Sequence, residues 1–379
     1  MQNSDKPMSG FTRREFLRGL AATAAASLAG SIATGAVLSE KDDRFVRPAM
    51  YWKPLDGGRV ECNLCPRKCG VEKGDRGQCG VRENRGGIYY TLVFGRVVSQ
   101  HIDPIEKKPL FHFKPGSRVY SMATAGCNLK CDFCQNWAIS QSRPEEVAAV
   151  RLAPERVVTE ARAGDAPVIA FTYSEPIVFY EYALATARAA KKAGLDAIMI
   201  SNGSINPEPL RRLAPELGAY KVDLKAFTED YYRKICKSRL APVLETLKLL
   251  AKLKVWTEIV VLIVPTLNDS DHEIRSMCKW VHNELGPDVP IHFSKFWPTY
   301  KLQTLPSTPA STLNRARRIA LDEGLNYAYI GNIPGHEGEN TWCPQCKTKL
   351  IHRVSFAVVK NLIKNGRCPN CSRAIPGVW

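Results

Sequence analysis

The sequence predicts an α/β fold: a partial, open (β/α)6 barrel with a small cysteine-rich metal module at each end. Three observations carry this reading. Short apolar runs alternate with amphipathic helical stretches about six times between residues 115 and 332, and strand-then-helix repetition means parallel βα units with right-handed crossovers. Six units are too few to close an eight-stranded barrel, and a partial barrel fits better than a doubly wound sheet. Second, the chain of 379 residues holds thirteen cysteines, all but Cys236 and Cys278 in three tight groups; such spacings read as metal ligation rather than a disulfide framework. Third, ligand-bearing residues recur just after the strands, where a βα barrel builds its active-site rim.

In chain order, residues 1–40 come first. "FTRREFLRGL" places Arg13, Arg14, Phe16 and Leu17 before a small-residue stretch broken by Gly19, Gly30 and Gly35. This resembles a twin-arginine signal, an address rather than part of the fold, and its glycine-punctuated, Ala-rich character argues against a permanent membrane span. Residues 45–95 form a first module in which Cys62, Cys65, Cys69 and Cys79 make C-x2-C-x3-C-x9-C, followed by the strand-like "GGIYYTLVFGRVVSQ". Four ligands in a module too small to bury much apolar surface suit zinc or an auxiliary iron–sulfur cluster.

The core follows at residues 115–332. Its strand candidates are "SRVYSMAT", "APVIAFTY", "LDAIMIS", "AYKVDL", "VWTEIVVLIVP" and "VPIHFSKF". Its helix candidates include "PERVVTEARA", "YEYALATARAAKKAG", "PVLETLKLLAKL" and "HEIRSMCKWVHNEL". After the successive strands come Cys127, then Glu175, then Ser201, Asn202 and Gly203, then Asp223 and Lys225, then Pro265 with "NDS"; the sixth strand carries His292. Asp269 and Ser270 read as turn and helix-capping residues only. The tail, residues 340–379, pairs Cys343 and Cys346 with Cys368 and Cys371 at zinc-ribbon spacing; zinc is expected there, with rubredoxin-like iron the alternative. Cys236 and Cys278 read as buried core thiols.

The first-strand loop, "AGCNLKCDFCQNW", offers Cys127, Cys131 and Cys134 and no fourth cysteine. Three thiolates on a four-iron cube leave one iron open, the logic of a catalytic rather than a structural site. The C-x3-C-x2-C spacing after a first strand resembles the signature of radical S-adenosylmethionine (SAM) enzymes. The resemblance implies the radical SAM type of partial barrel, a [4Fe–4S] cluster on these three cysteines, and SAM as the second cofactor. It also implies reductive cleavage of SAM to methionine and a 5′-deoxyadenosyl radical, which abstracts hydrogen from a substrate. By the same resemblance Phe133 packs near the adenine, Glu175 receives the SAM ammonium, and Asn202 with Gly203 approaches the ligand. Lys225 pairs with the SAM carboxylate, Asp223 holds a cation or a partner hydrogen bond, and His292 contacts the ribose.

"VDLKAFTEDYYRKI" and "IHFSKFWPTYK" narrow the resemblance to proteins similar to the pyruvate formate-lyase activating enzyme. "CNLCPRKCGVEKGDRGQCGVREN", "DPIEKKPLFHFKPGS" and "IPGVW" are similar to the AmmeMemoRadiSam system radical SAM enzyme, over nearly the whole chain from about residue 50. This implies Memo-like and AMMECR-like partners and a low-potential donor such as flavodoxin or ferredoxin; activation of a glycyl-radical enzyme is the alternative role.

The net charge is +16, and residues 1–40 contribute little of it, with Lys6, Arg13, Arg14 and Arg18 set against Asp5, Glu15 and Glu40. A basic body calls for an acidic partner, here the electron donor. Nucleic-acid binding through the ribbon is a competing reading, ranked lower because basic strands with interleaved aromatics are missing. A plain electron carrier is a third, ranked lower because carriers close their clusters with four ligands. The twin-arginine signal implies export or membrane association after cluster assembly in the cytoplasm, whereas SAM and low-potential electrons are cytoplasmic supplies.

Overall fold

A computed structural model describes residues 43–379, so the signal expected at residues 1–40 lies outside the described residues. The apolar runs form a central sheet with seven parallel strands side by side in chain order: β1 (Arg118–Ala123), β2 (Val168–Phe171), β3 (Asp196–Ser201), β4 (Ala219–Asp223), β5 (Trp256–Ile263), β6 (Ile291–Lys295) and β7 (Ala328–Gly331). Strand Ser99–Pro104 pairs antiparallel with β1 at one edge, and β7 forms the other. The two edge strands are not neighbours, so the barrel is partial and open.

The strands are nearly continuous buried runs, as in β2, where all four residues are buried. That is the pattern of a parallel sheet covered on both faces. Helices α1 (Pro154–Ala163), α2 (Tyr180–Lys192), α3 (Pro207–Leu213), α4 (Ala241–Lys252), α5 (Asp271–Leu285) and α6 (Ala310–Asp322) cover one face, and Ile105, Leu110 and Phe113 of the segment before β1 pack against the other. Each helix presents an apolar stripe, such as Ile274, Met277, Cys278 and Val281 of α5. Ser270 caps α5 by accepting from Glu273 N, and Asp269 Oδ1 accepts from Thr266 N at 2.9 Å, the structural roles expected of both.

The partial-barrel class therefore holds, with one unit more than the six that the sequence suggests. The seventh strand is four residues long, half of them Ala and Gly, and among the described residues no α-helix follows it to mark another unit. The expected strand "GGIYYTLVFGRVVSQ" is interrupted: it becomes Ile88–Thr91, Arg96–Val97 and the start of Ser99–Pro104. Gly95, at φ +74°, makes the break, and a Cβ there would stand 3.0 Å from Leu152 O.

The flanking modules are continuous with the barrel. One apolar cluster runs from Val60, Leu64 and Val81 of the first module into Met122, Phe171 and Ile259 of the sheet. The tail folds as an antiparallel sheet, Thr341–Trp342, Lys349–Val354 and Ala357–Asn361. Arg353, fully buried, fastens it: Nη2 donates to Phe111 O at 2.8 Å, Nη1 donates to Thr341 Oγ1 at 2.8 Å, and the guanidinium faces Glu106. The last residues return to the segment before β1, with Val378 N donating to His112 O at 2.7 Å.

Candidate active site

A cavity of about 520 Å³ opens at the C-terminal ends of the strands. Its lining includes Cys127, Cys131 and Cys134, together with Phe133, Glu175, Asn202, Asp223, Lys225 and His292. Residues up to 165 positions apart in sequence meet here because every strand of a parallel barrel delivers its end to the same rim.

The loop after β1 owes its path to Gly126. At φ +96°, a Cβ there would fall 2.5 Å from Val81 Cγ1 and 2.8 Å from Cys79 O, so only glycine passes beneath the first module. Burial first, and then neighbouring acids and thiols, pushes the Cys127 thiol well up. Its sulfur accepts from Leu129 N at 3.3 Å and lies 3.9 Å from Asn202 Nδ2. Cys131 is pushed up first by a hydrogen bond with Cys236 and then by burial. Cys236 is buried as expected, but it also touches a candidate ligand. It ends the π-turn Tyr232–Cys236, a local widening of the helix of the kind that occurs at functional sites. Three soft donors from one loop on one cavity wall, with N–H groups directed at the first, fit an iron–sulfur cluster.

Glu175 caps the short helix Pro176–Phe179. Its oxygens accept from Ser201 Oγ at 2.7 Å, Asn202 N at 2.9 Å and Ile177 N at 3.1 Å. Burial outweighs these bonds and lifts the carboxyl to about 7. Asn202 spans the gap to the cysteine loop, its Nδ2 donating to Asn128 Oδ1 at 2.8 Å. Gly203 stands beside the lining rather than in it. Its φ of +72° and the contacts a Cβ would make with Val222 (3.0 Å) and Val243 (3.2 Å) explain the glycine.

Asp223 faces two lysines. Its Oδ1 takes Lys221 Nζ and its Oδ2 takes Lys225 Nζ at 3.1 Å. Burial works to raise Asp223, but the two ammonium groups overcome it and hold the carboxyl below its ordinary value. Both oxygens are thus engaged in positioning cations of the chain itself. Lys225 Nζ also lies 5.9 Å from the Phe133 ring centroid. Lys221, missed in the sequence, was signalled by strand periodicity: two residues before Asp223, it shares that face of β4.

His292 is buried, stacks on Tyr329 at 4.9 Å and joins Nε2 to Glu258 Oε2 at 2.7 Å. Burial lowers its pKa, so the ring is neutral at pH 7, with Nδ1 as its remaining polar atom. The lining is completed from the flanking segments: Lys108 and Phe111 before β1, and Ser355 and Phe356 from the tail. Lys108 Nζ donates to Asp103 Oδ2 at 2.5 Å, and the same oxygen accepts from the Tyr173 hydroxyl. Burial brings Lys108 down to about 8.

The tail quartet, Cys343, Cys346, Cys368 and Cys371, is drawn together with all four sulfurs within 4.8 Å of one another. Cys343 Sγ lies 3.5 Å from Cys371 Sγ, and Cys346 Sγ 3.6 Å from Cys368 Sγ. Among the described residues no helix is long and apolar enough to cross a membrane.

Comparison with known proteins gives a consistent family. Residues 122–281 match the radical SAM superfamily. Uncharacterized protein MJ0808 of Methanocaldococcus jannaschii is 46% identical over 332 residues, covering 87% of this chain and 99% of the relative. Among solved structures, a radical SAM methyltransferase from Sphaerobacter thermophilus is 14% identical, with a TM-score of 0.49, over 77% of this chain and 78% of that one. A domain of pyruvate-formate lyase-activating enzyme from Bacteroides vulgatus is 15% identical, with a TM-score of 0.38, over 43% of this chain and 98% of that one.

Proposed function

This chain belongs to the radical SAM superfamily, and we propose that its cavity binds SAM beside a cluster held by Cys127, Cys131 and Cys134. The observation that carries this reading is a trio of thiols from one loop opening onto the same cavity as the strand-end groups Glu175, Asn202 and Lys225. When bound, a reduced [4Fe–4S] cluster supplies the electron that splits SAM into methionine and a 5′-deoxyadenosyl radical.

The chain's own residues bind and orient. Glu175, held rigid by three donors, receives the SAM ammonium. Lys225, fixed by Asp223 and kept charged, receives the carboxylate. Phe133, 4% exposed, offers the adenine an apolar wall, and His292 meets the ribose as a neutral ring oriented by Glu258. Lys108, Phe111 and Phe356 complete the lining and receive the hydrogen donor. Covering the rim with the tail excludes water from a reactive radical.

The motifs from Cys62 to Asn84 and from Asp103 to Ser117, with the closing "IPGVW", favour the AmmeMemoRadiSam role with Memo-like and AMMECR-like partners. Activation of a glycyl-radical enzyme is the second reading, favoured by "VDLKAFTEDYYRKI" and "IHFSKFWPTYK". We propose that the tail quartet holds one tetrahedral ion, zinc or rubredoxin-like iron, because four thiolates about 2.3 Å from one ion stand roughly 3.8 Å apart, close to the spacings observed. The twin-arginine leader points to export or membrane association of the loaded protein. The basic body receives an acidic flavodoxin- or ferredoxin-type donor. The test is spectroscopic: protein loaded anaerobically with iron and sulfide changes its cluster spectrum when SAM is added, and an unchanged spectrum refutes the reading.

A further inference from the structure

The first module contains a group of side chains for which SAM chemistry has no use. Arg82 is 1% exposed and lies within electrostatic reach of Cys62 and Cys79. Its Nη2 donates to Met50 O at 2.6 Å and to Glu181 Oε1 at 2.8 Å, while Nε and Nη1 have no partner. Tyr89 is fully buried, lies under the Arg82 guanidinium, and its hydroxyl also has no partner. Leaving three buried donors unmade costs about 1–3 kcal/mol each, which points to acceptors that the polypeptide alone does not supply.

The nearby acceptors are sulfurs. A Cβ placed on Gly77 would lie 2.7 Å from Tyr89 Oη and 3.9 Å from Cys69 Sγ, so hydroxyl and thiol both approach the same point over one glycine. Arg82 acts electrostatically on Cys62 and Cys79, and the four thiols act on one another. All four are free thiols. The backbone holds them: Cys62 N donates to Cys69 O at 2.9 Å across the turn between Val60–Cys62 and Gly70–Val71.

Their spacing separates them from the tail. Among the described residues the tail quartet is the group drawn together closely enough for a single ion, its sulfurs within 4.8 Å of one another; the first-module thiols, like Cys127, Cys131 and Cys134, are not so drawn. Wider corners suit a polynuclear cluster rather than one tetrahedral ion.

The module also abuts the cysteine loop of the cavity. Cys79 O, with Val81, leaves no room for a side chain on Gly126. Arg67, between Cys65 and Cys69, donates to Asn128 O and, through Nη2, to Lys237 O at 2.5 Å. Asn128, whose side chain acts to lower the Cys65 thiol against its burial, immediately follows Cys127.

We propose that Cys62, Cys65, Cys69 and Cys79 hold an iron–sulfur cluster of their own, hydrogen-bonded by Arg82 and Tyr89 and seated against the loop that carries Cys127. The buried guanidinium offsets the negative charge of a thiolate-ligated cluster, and its free N–H groups donate to sulfur.

The test uses the full chain carrying Cys127→Ser, Cys131→Ser and Cys134→Ser, loaded anaerobically with iron and sulfide. The expected result is about half of the acid-labile sulfide of the wild type, with thiolate-to-iron absorbance that SAM leaves unchanged. Sulfide is decisive because a mononuclear zinc or iron site contains none. A folded variant free of sulfide overturns the proposal. Because this variant lacks the three-cysteine site, its outcome is independent of the radical SAM reading. On the same background, Arg82→Gln and Tyr89→Phe are expected to shift the reduction potential to more negative values, since sulfur hydrogen bonds favour the more negative, reduced cluster. Tyr89→Phe removes a single oxygen and serves if Arg82→Gln does not fold. A retained cluster with unmoved potential in the folded variants overturns the assigned role of these donors.

Discussion

Glu175→Gln removes one charge from the cavity and almost no volume. The carboxylate is 3% exposed and accepts three hydrogen bonds from Ser201, Asn202 and Ile177. A hydrogen bond to a charged group is worth about 1.5–3 kcal/mol, so losing the ammonium partner should weaken SAM binding roughly 10- to 150-fold. The effect depends on pH in a defined direction. Burial raises the wild-type carboxyl to about 7, so it is neutral below that value and charged above it. Wild-type affinity for the SAM ammonium therefore rises as pH increases from 6 to 8, while the Gln variant stays flat. The deficit should be large at pH 8 and small at pH 6. Equilibrium binding of SAM to anaerobically loaded protein measures it, with a thermal melt as control for the donor–donor contact that the amide creates. A folded variant that binds SAM as the wild type does at pH 8 would refute the assignment of Glu175.

Gly126→Ala should destabilise the protein and lower iron loading, because the methyl collides with Val81 and Cys79 at a φ that favours glycine. Strain of this kind costs about 1–3 kcal/mol, seen as a fall in Tm of several degrees, and an unchanged Tm counts against the loop geometry. Arg353→Leu leaves Glu106 buried without its cation and should cost about 3–5 kcal/mol, with the tail released to protease before the barrel. Asp223→Asn frees Lys221 and Lys225 from their shared anchor and should raise the apparent Kd for SAM about tenfold, in line with one lost charge-assisted contact. Reduction of the loaded protein by an acidic flavodoxin or ferredoxin should slow as ionic strength rises; a salt-independent rate dismisses charge-guided docking.

Much of the fold was legible because a parallel barrel writes its strands as buried runs and its helices as stripes. The stripes "PERVVTEARA" and "HEIRSMCKWVHNEL" became α1 and most of α5. The seventh strand was not legible, since half of Ala328–Gly331 is Ala and Gly, which carry little strand preference, and among the described residues no α-helix follows it to mark another unit. At the cavity, chemistry-bearing residues at strand ends could be read one unit at a time, which found Glu175, Asn202, Lys225 and His292. What escaped were residues whose role depends on a neighbour from elsewhere. Lys221 matters through Asp223, Cys236 through Cys131, and Lys108 through Asp103 and Tyr173. Glycine also hides its reasons in one dimension: the positive φ of Gly203 and its closeness to Val222 and Val243 call for glycine by themselves.

The central claim is an open-cornered cluster on Cys127, Cys131 and Cys134 that cleaves SAM. Its most direct measurement is the 5′-deoxyadenosine formed when the reduced, iron-loaded protein is incubated anaerobically with SAM. The account predicts 5′-deoxyadenosine and methionine in equal amounts, and neither from the variant with the three cysteines replaced. Reduced, cluster-bearing wild-type protein that leaves SAM intact would contradict it.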